Sequence, residues 1–227
     1  MIISENKPMQ EILEFLDKSE KVVLVGCGQC AAICKSGGQD EILRMKEALE
    51  QEGKEVIGHI MLDPACNLLK TKKDLKSLKE EIKNADAILS LACGDGTQTI
   101  VKNVGKVPVY PANNPMFIGE TKRVGEFEES CKACGQCELG WTGGICPVTM
   151  CAKGLINGAC GGAKNGKCEV SQENDCAWVM IYERLKEIDQ LENLLEMRPM
   201  KDYSKQNNPR SLNLKEKQEQ KEASVEA

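Results

Sequence analysis

Eight cysteines fall between positions 131 and 176 of a 227-residue chain, and their density limits what the chain can fold into more than any other feature. From about residue 119 onward Gly and Cys are frequent and long apolar runs are missing. Such a stretch cannot bury enough carbon to fold unaided, so bound metal is expected to supply the missing stability. The remaining five of the 13 cysteines lie upstream, at 27, 30, 34, 66 and 93. The N-terminus, MIISENKPMQ, has neither the basic start nor the apolar run of a signal peptide, and no stretch is long enough to span a bilayer. A cytoplasmic protein without membrane insertion is expected. A reducing thiol pool there disfavours disulfides, which makes the cysteines ligands rather than bridges.

Within the dense region, CKACGQC at 131–137 places Cys131, Cys134 and Cys137 at C-x2-C-x2-C spacing, and Cys146 is followed at once by Pro147. Three thiolates in seven residues can wrap one corner of a cubane, each capping a different iron. This is the ligand run of bacterial-type [4Fe–4S] ferredoxins. One departure is that eight residues separate Cys137 from Cys146, where the ferredoxin run has three. The local fold therefore need not be ferredoxin-like. Cys146, Cys151, Cys160, Cys168 and Cys176 remain. Four of them could hold a second cluster while the fifth closes the first, and spacing does not say which. Glycines in NGACGG around Cys160 would let backbone amides approach the sulfides. Zinc is the alternative, although it prefers two separated C-x2-C pairs around one tetrahedral ion.

Upstream, strand-like and helix-like runs alternate: a helix over 8–18, a strand at 21–26, a helix near 39–52, a strand at 55–62, a helix at 72–84, a strand at 86–92, a helix near 96–103 and a strand at 107–110. That order predicts an α/β domain with a parallel sheet and helices on its faces. Ligands of such sheets gather at the carboxyl ends of the strands. Cys27 follows the first of these strands, Cys66 the second through Asp63-Pro64-Ala65, and Cys93 the third. All three should face one edge.

The turn after the first strand, Gly26-Cys27-Gly28-Gln29-Cys30-Ala31, fits a dinucleotide fingerprint. The acidic partner that fingerprint needs lies about 20 residues further on, whereas Asp63 is much more distant. Cysteines at 27, 30 and 34, with Cys66 and Cys93 arriving from neighbouring strand ends, favour a third metal site. Five cysteines for four positions would leave one spare, a plain buried thiol.

Hydrophobic content of 41% supports a packed core, and aromatics at 4% make that core aliphatic. A net charge of -5 leaves no footprint for nucleic acid. Weaker features have plain readings. Gly94-Asp95-Gly96-Thr97 reads as a turn with a Thr cap, His59 as a strand residue in a structural role, and PANNP at 111–115 as a turn. A helix over 175–196 carries Trp178, Ile181, Tyr182, Leu185, Ile188, Leu191 and Leu195 on one stripe. The expected division is 1–118 for the α/β domain with the strand-end cysteine site, 119–200 for a cysteine-rich cluster-binding domain, and 201–227 for a polar tail, disordered or docked on a partner. No Ser–His–Asp set, HExxH motif or Walker lysine is present, which points to an electron carrier rather than a catalyst.

Over CKACGQCELGWTGGICPVTMCAKGLINGACGGAKNGKCEV and the following DCAWVMIYERL, the chain resembles the methylenetetrahydrofolate reductase C-terminal family. Its members include the small iron–sulfur (MetV-type) subunit of reductases found in acetogenic bacteria. TGGICP, NGACGG, GKCEV and DCAW carry the likeness most specifically, and it extends to the N-terminal half through the strand-end cysteines. Ala159 departs from it, where proline is expected. The resemblance implies a non-catalytic subunit of a heteromeric complex in one-carbon metabolism. A separate flavin-containing catalytic subunit would reduce methylene-tetrahydrofolate, and this chain would bring it electrons from a donor subunit or a ferredoxin. Carried over as ligands of two [4Fe–4S] clusters are Cys131, Cys134, Cys137, Cys146, Cys151, Cys160, Cys168 and Cys176. A third cluster is expected among Cys27, Cys30, Cys34, Cys66 and Cys93. The contrasting expectation is a zinc-stabilised scaffold subunit with no redox role.

Overall fold

The structure, a computed structural model, describes residues 1–214 and divides into two compact units, Met1–Ser130 and Cys131–Ala227. The predicted tail at 201–227 therefore lies partly outside the described residues. No helix among those described is long and apolar enough to cross a membrane.

In chain order the first unit contains β1 (Ile2–Asn6), α1 (Met9–Phe15), β2 (Lys21–Cys27), α2 (Cys30–Ile33), α3 (Gln39–Gln51), β3 (Glu55–Leu62), α4 (Leu68–Asp74), α5 (Lys79–Asn84), β4 (Ala87–Ser90), α6 (Gly94–Val101), β5 (Val109–Pro111), β6 (Asn113–Arg123) and β7 (Glu126–Cys131). Strands β3-β2-β4-β5 form a parallel sheet in that order. The alternation along β2 explains why both faces are covered. Val23, Val25 and Cys27 point into one layer with Leu75, Ile82 and Ile100, and Val22 and Leu24 point into the other with Ile12, Ile42 and Leu49. Successive side chains of a strand face opposite ways, so a continuous run of branched residues needs helices on both sides. Each fully buried Val, Leu or Ile contributes about 1.5–3 kcal/mol.

Several sequence expectations change here. PANNP is not a turn: Pro111 ends β5 and Asn113 opens β6, which pairs antiparallel with β1 in a second sheet ordered β1-β6-β7. Asn113 is tied down there, its side-chain amide donating to the Leu91 carbonyl at 2.7 Å, so the chain runs straight through. The helix predicted over 72–84 is broken into α4, a 3-10 turn at Leu75–Leu78, and α5. Gly94-Asp95-Gly96-Thr97 forms the first turn of α6, with Cys93 as its N-cap. Thr97 caps nothing and instead lies 2.9 Å from the Ser90 hydroxyl. His59 does sit in a strand, exposed on β3 at the edge of the parallel sheet.

The second unit has little regular structure: α7 (Pro147–Met150), α8 (Ala177–Glu187) and short 3-10 turns. Its core is a small group of Cys176, Trp178, Ile181 and Leu185. The helix predicted to reach 196 stops at Glu187, and Asp189 takes a left-handed φ of 56°. Leu195, expected on the buried stripe, is 87% exposed.

Candidate metal centres

The parallel sheet brings three of the five upstream cysteines together. Cys27 is the last residue of β2, Cys66 lies in the turn after β3, and Cys93 is the N-cap of α6 just past β4. Parallel neighbours end at the same edge, so the three cysteines stand along one rim of the sheet. Burial pushes the Cys66 thiol up, and Asp95, Cys93 and Cys27 each add to that by charge repulsion. A cation bound among these thiols would offset that repulsion and favour their thiolate forms.

The remaining two upstream cysteines lie one turn apart, Cys30 within α2 and Cys34 as its C-cap. Cys34 turns toward β1, its thiol 3.9 Å from the Ile2 carbonyl. Burial raises its pKa against opposing hydrogen bonds from Ser4.

The same turn argues against a dinucleotide. The Cys27 amide donates to the Gly37 carbonyl and the Gly28 amide to the Leu62 carbonyl, both at 2.8 Å. A pyrophosphate needs free amides at that position. The helix that follows has only four residues. A Cβ at Gly26 would come within 2.6 Å of Ile42 Cδ1, so this glycine serves the packing of α3 on β2.

In the second unit, the CKACGQC loop is curled by two left-handed residues, Ala133 (φ 49°) and Gly135 (φ 77°). The Ala133 amide donates to Cys131 Sγ at 3.2 Å. An N–H aimed at sulfur stabilises a thiolate and is the kind of contact that tunes a sulfur-ligated metal. Burial opposes ionisation of Cys134, yet hydrogen bonds with the Gln136 backbone and with Lys201 outweigh it, and the thiol is lowered from its ordinary value.

Downstream, Cys146 and Cys151 flank α7 as its N-cap and C-cap, and Cys176 is the N-cap of α8. Cys151 packs against the small core that includes Cys176. Cys168 is held by its amide to the Asn174 carbonyl at 2.9 Å, and Cys176 by its amide to Gly166 at 2.8 Å. Cys160 is exposed; its thiol donates to Glu169 at 3.4 Å, and Glu169 is paired with Lys153.

All 13 cysteines are free of disulfides. Among the described residues, no three Cys, His, Asp or Glu side chains converge tightly enough to hold a single metal ion. Chemically the donor set is one of soft, unpaired thiols on curled loops, which fits thiolate-ligated iron or zinc.

Sequence reasoning missed the groups around the first loop. Lys201 is 2% exposed and donates to the Gln136 carbonyl, and Glu138 lies 3.8 Å from Lys201 and 3.9 Å from Arg198. No periodicity marks these residues in a polar stretch. Arg198 also stacks over Trp141, 3.9 Å from the ring centroid. Trp141, Trp178, Tyr182, Leu194 and Met197 line a largely apolar cleft of about 480 Å³ beside α8.

Residues 110–204 match the model of the family described as methylene-tetrahydrofolate reductase C terminal. The match takes in β6, β7 and the second unit as far as residue 204, with all eight of its cysteines, and leaves the strand-edge cysteines outside it. No curated protein and no solved structure matches the chain.

Proposed function

We propose, taking residues 110–204 as a methylenetetrahydrofolate reductase C-terminal segment, that the chain is a non-catalytic iron–sulfur subunit of such a reductase. It would receive electrons from a donor subunit or ferredoxin and pass them to the flavin of a separate catalytic subunit. The observation that carries this reading is the CKACGQC loop: three thiols in seven residues, curled by Ala133 and Gly135, with an amide already aimed at Cys131 Sγ.

Cys131, Cys134 and Cys137 would hold one [4Fe–4S] cluster together with one of Cys146, Cys151, Cys160, Cys168 and Cys176, and the other four of these a second. Cys27, Cys66 and Cys93 would supply three ligands of a third. Cys30 is the natural fourth there, because Cys34 is turned to β1 and fits the role of the spare thiol. When bound, such clusters take up and release electrons singly. The chain's own part is to hold the thiolates, to direct amides at them and to keep water from the buried side of each loop.

Anaerobically purified protein should be brown, contain iron and inorganic sulfide in comparable amounts, and bleach on reduction. Colourless protein with stoichiometric zinc would overturn the redox role and leave a zinc-stabilised scaffold in its place. Cys134→Ser should lose the iron of one cluster and slow flavin reduction by the external donor. Turnover with an artificial donor to the flavin should stay intact. Unchanged iron content in that variant would count against the assignment.

A further inference from the structure

The C-terminal segment following Met197 lies across the CKACGQC loop through several independent contacts. The Asp202 amide donates to Gln136 Oε1 at 2.8 Å. Arg210 donates to the Ala133 carbonyl at 2.8 Å and to the Lys205 carbonyl at 3.0 Å. A Cβ on Gly135 would stand 3.0 Å from Lys205 Cβ, so the segment is seated directly on the loop. Beneath it Lys201 is buried completely, its side chain 0% exposed, with Glu138 at 3.8 Å and the Gln136 carbonyl as partners.

Lysine is among the residues least often buried, because an ammonium loses its hydration and regains it only from well-placed partners. Burying one next to a loop of thiols is therefore a specific arrangement. The local charges do not cancel: Glu138 faces two cations, Arg198 at 3.9 Å and Lys201 at 3.8 Å. One positive charge is left over, and Lys201 is the member of the pair that shares a partner with the Cys134 thiol, since both donate to the Gln136 carbonyl.

We propose that Lys201 is a positioning residue for the Cys131–Cys134–Cys137 cluster site: its buried ammonium, fixed between Glu138 and the Gln136 carbonyl against Cys134, holds the loop closed and raises the reduction potential of whatever cluster those thiolates carry. The proposal rests on the iron–sulfur reading above. Its physics is Coulombic. Thiolate-ligated clusters gain negative charge on reduction, and a fixed cation a few ångströms away, screened from solvent, favours the more negative state.

The test is a redox titration of the full chain, monitored by electron paramagnetic resonance, on the wild type and on Lys201→Met, Lys201→Arg and Glu138→Gln, with iron and sulfide measured in each. Lys201→Met should keep its iron, and one cluster's midpoint should move to a more negative potential. At the wild-type midpoint poise the reduced fraction of that cluster should fall at least about threefold. Lys201→Arg should restore most of it. Glu138→Gln removes the opposing charge and should move the same midpoint the other way. That opposite sign cannot come from mere loosening, and Lys201→Gln, neutral but still able to donate to the Gln136 carbonyl, supplies the lysine's own shift if Lys201→Met loses its cluster. Iron-replete variants whose midpoints match the wild type, or a Glu138→Gln midpoint that moves negative, would overturn the role of Lys201 and leave the iron–sulfur reading standing. Wild-type protein without iron would overturn both.

Discussion

In residues 1–130 the chain is held by aliphatic layers: Val22, Leu24, Ile42 and Leu49 on one face of the parallel sheet, Val23, Val25, Ile88 and Ile100 on the other, all fully buried. From Cys131 onward the comparable group is Cys176, Trp178, Ile181 and Leu185 around one 11-residue helix. Both stretches carry cysteines. In the first they stand at the rim of a structure that is already complete, so a ligand there would be an addition. In the second they punctuate loops with little else to hold them, so a ligand there would be structural as well as functional. The number of thiols matters less than how much carbon is buried around them.

The largest effect should come from removing metal from the purified protein under anaerobic conditions. Hydrogen exchange in residues 131–200 should then approach that of an unfolded chain, while β2, β3 and β4 stay protected. Equal protection of both units after metal removal would break the comparison. Next come core truncations. Leu24→Ala should cost about 2–5 kcal/mol of stability in the first unit, in either metal state. Ile181→Ala should cost a similar amount only in metal-free protein, because bound metal would carry the second unit. Denaturant melts followed by signals from each unit separate these outcomes.

A smaller contrast lies in the left-handed glycines. Gly53 in the first unit has φ 79° and open space around its missing Cβ, whereas Gly135 has φ 77° and Lys205 above it. Both alanine variants should lose about 1–2 kcal/mol to backbone strain. Only Gly135→Ala should also loosen residues 201–210, read as faster exchange of the Asp202 amide. The smallest effect concerns acid. Asp86 accepts from the Lys21 amide at 2.8 Å and the Glu20 amide at 3.0 Å, which lowers its pKa. Its folded pKa lies below the unfolded value, so its contribution is present above the ordinary carboxylate range and is lost as pH falls through the lowered pKa. Asp86→Asn should flatten that acid limb for the first unit and leave the second unchanged.

The first unit was legible in the sequence wherever a run had a clean period. The strand at 55–62 appears with those bounds, and the runs at 21–26 and 39–52 appear within a residue at each end. Topology then made the placement of Cys27, Cys66 and Cys93 at one sheet edge legible, since parallel strands carry their carboxyl ends to a common edge. Less legible were β1, β6 and β7. The pairing of β1 with β6 joins residues more than a hundred positions apart, such as Ile2 with Ile118, and Asn114 and Pro115 within β6 read locally as turn residues. In the second unit the sequence marked the CKACGQC loop by spacing but gave no sign of Lys201, whose neighbours Lys, Asp and Ser read as solvated. Its partners, the Gln136 carbonyl and Glu138, lie more than sixty positions away and leave no pattern in local composition. The early end of α8 is of the same kind: Ile188 and Leu191 kept the helical spacing, while the left-handed Asp189 turned the backbone away.

The segment lying across the CKACGQC loop comes late in the polypeptide. Lys201 and Arg210 reach carbonyls 65 and 77 positions earlier in the chain. Translation is vectorial, so the three thiols leave the ribosome open and stay open until that segment follows. Under the iron–sulfur reading proposed above, metal delivery would have a window set by the order of synthesis, and a chain truncated before residue 201 would keep every cysteine yet lack the latch that would shut behind the cargo.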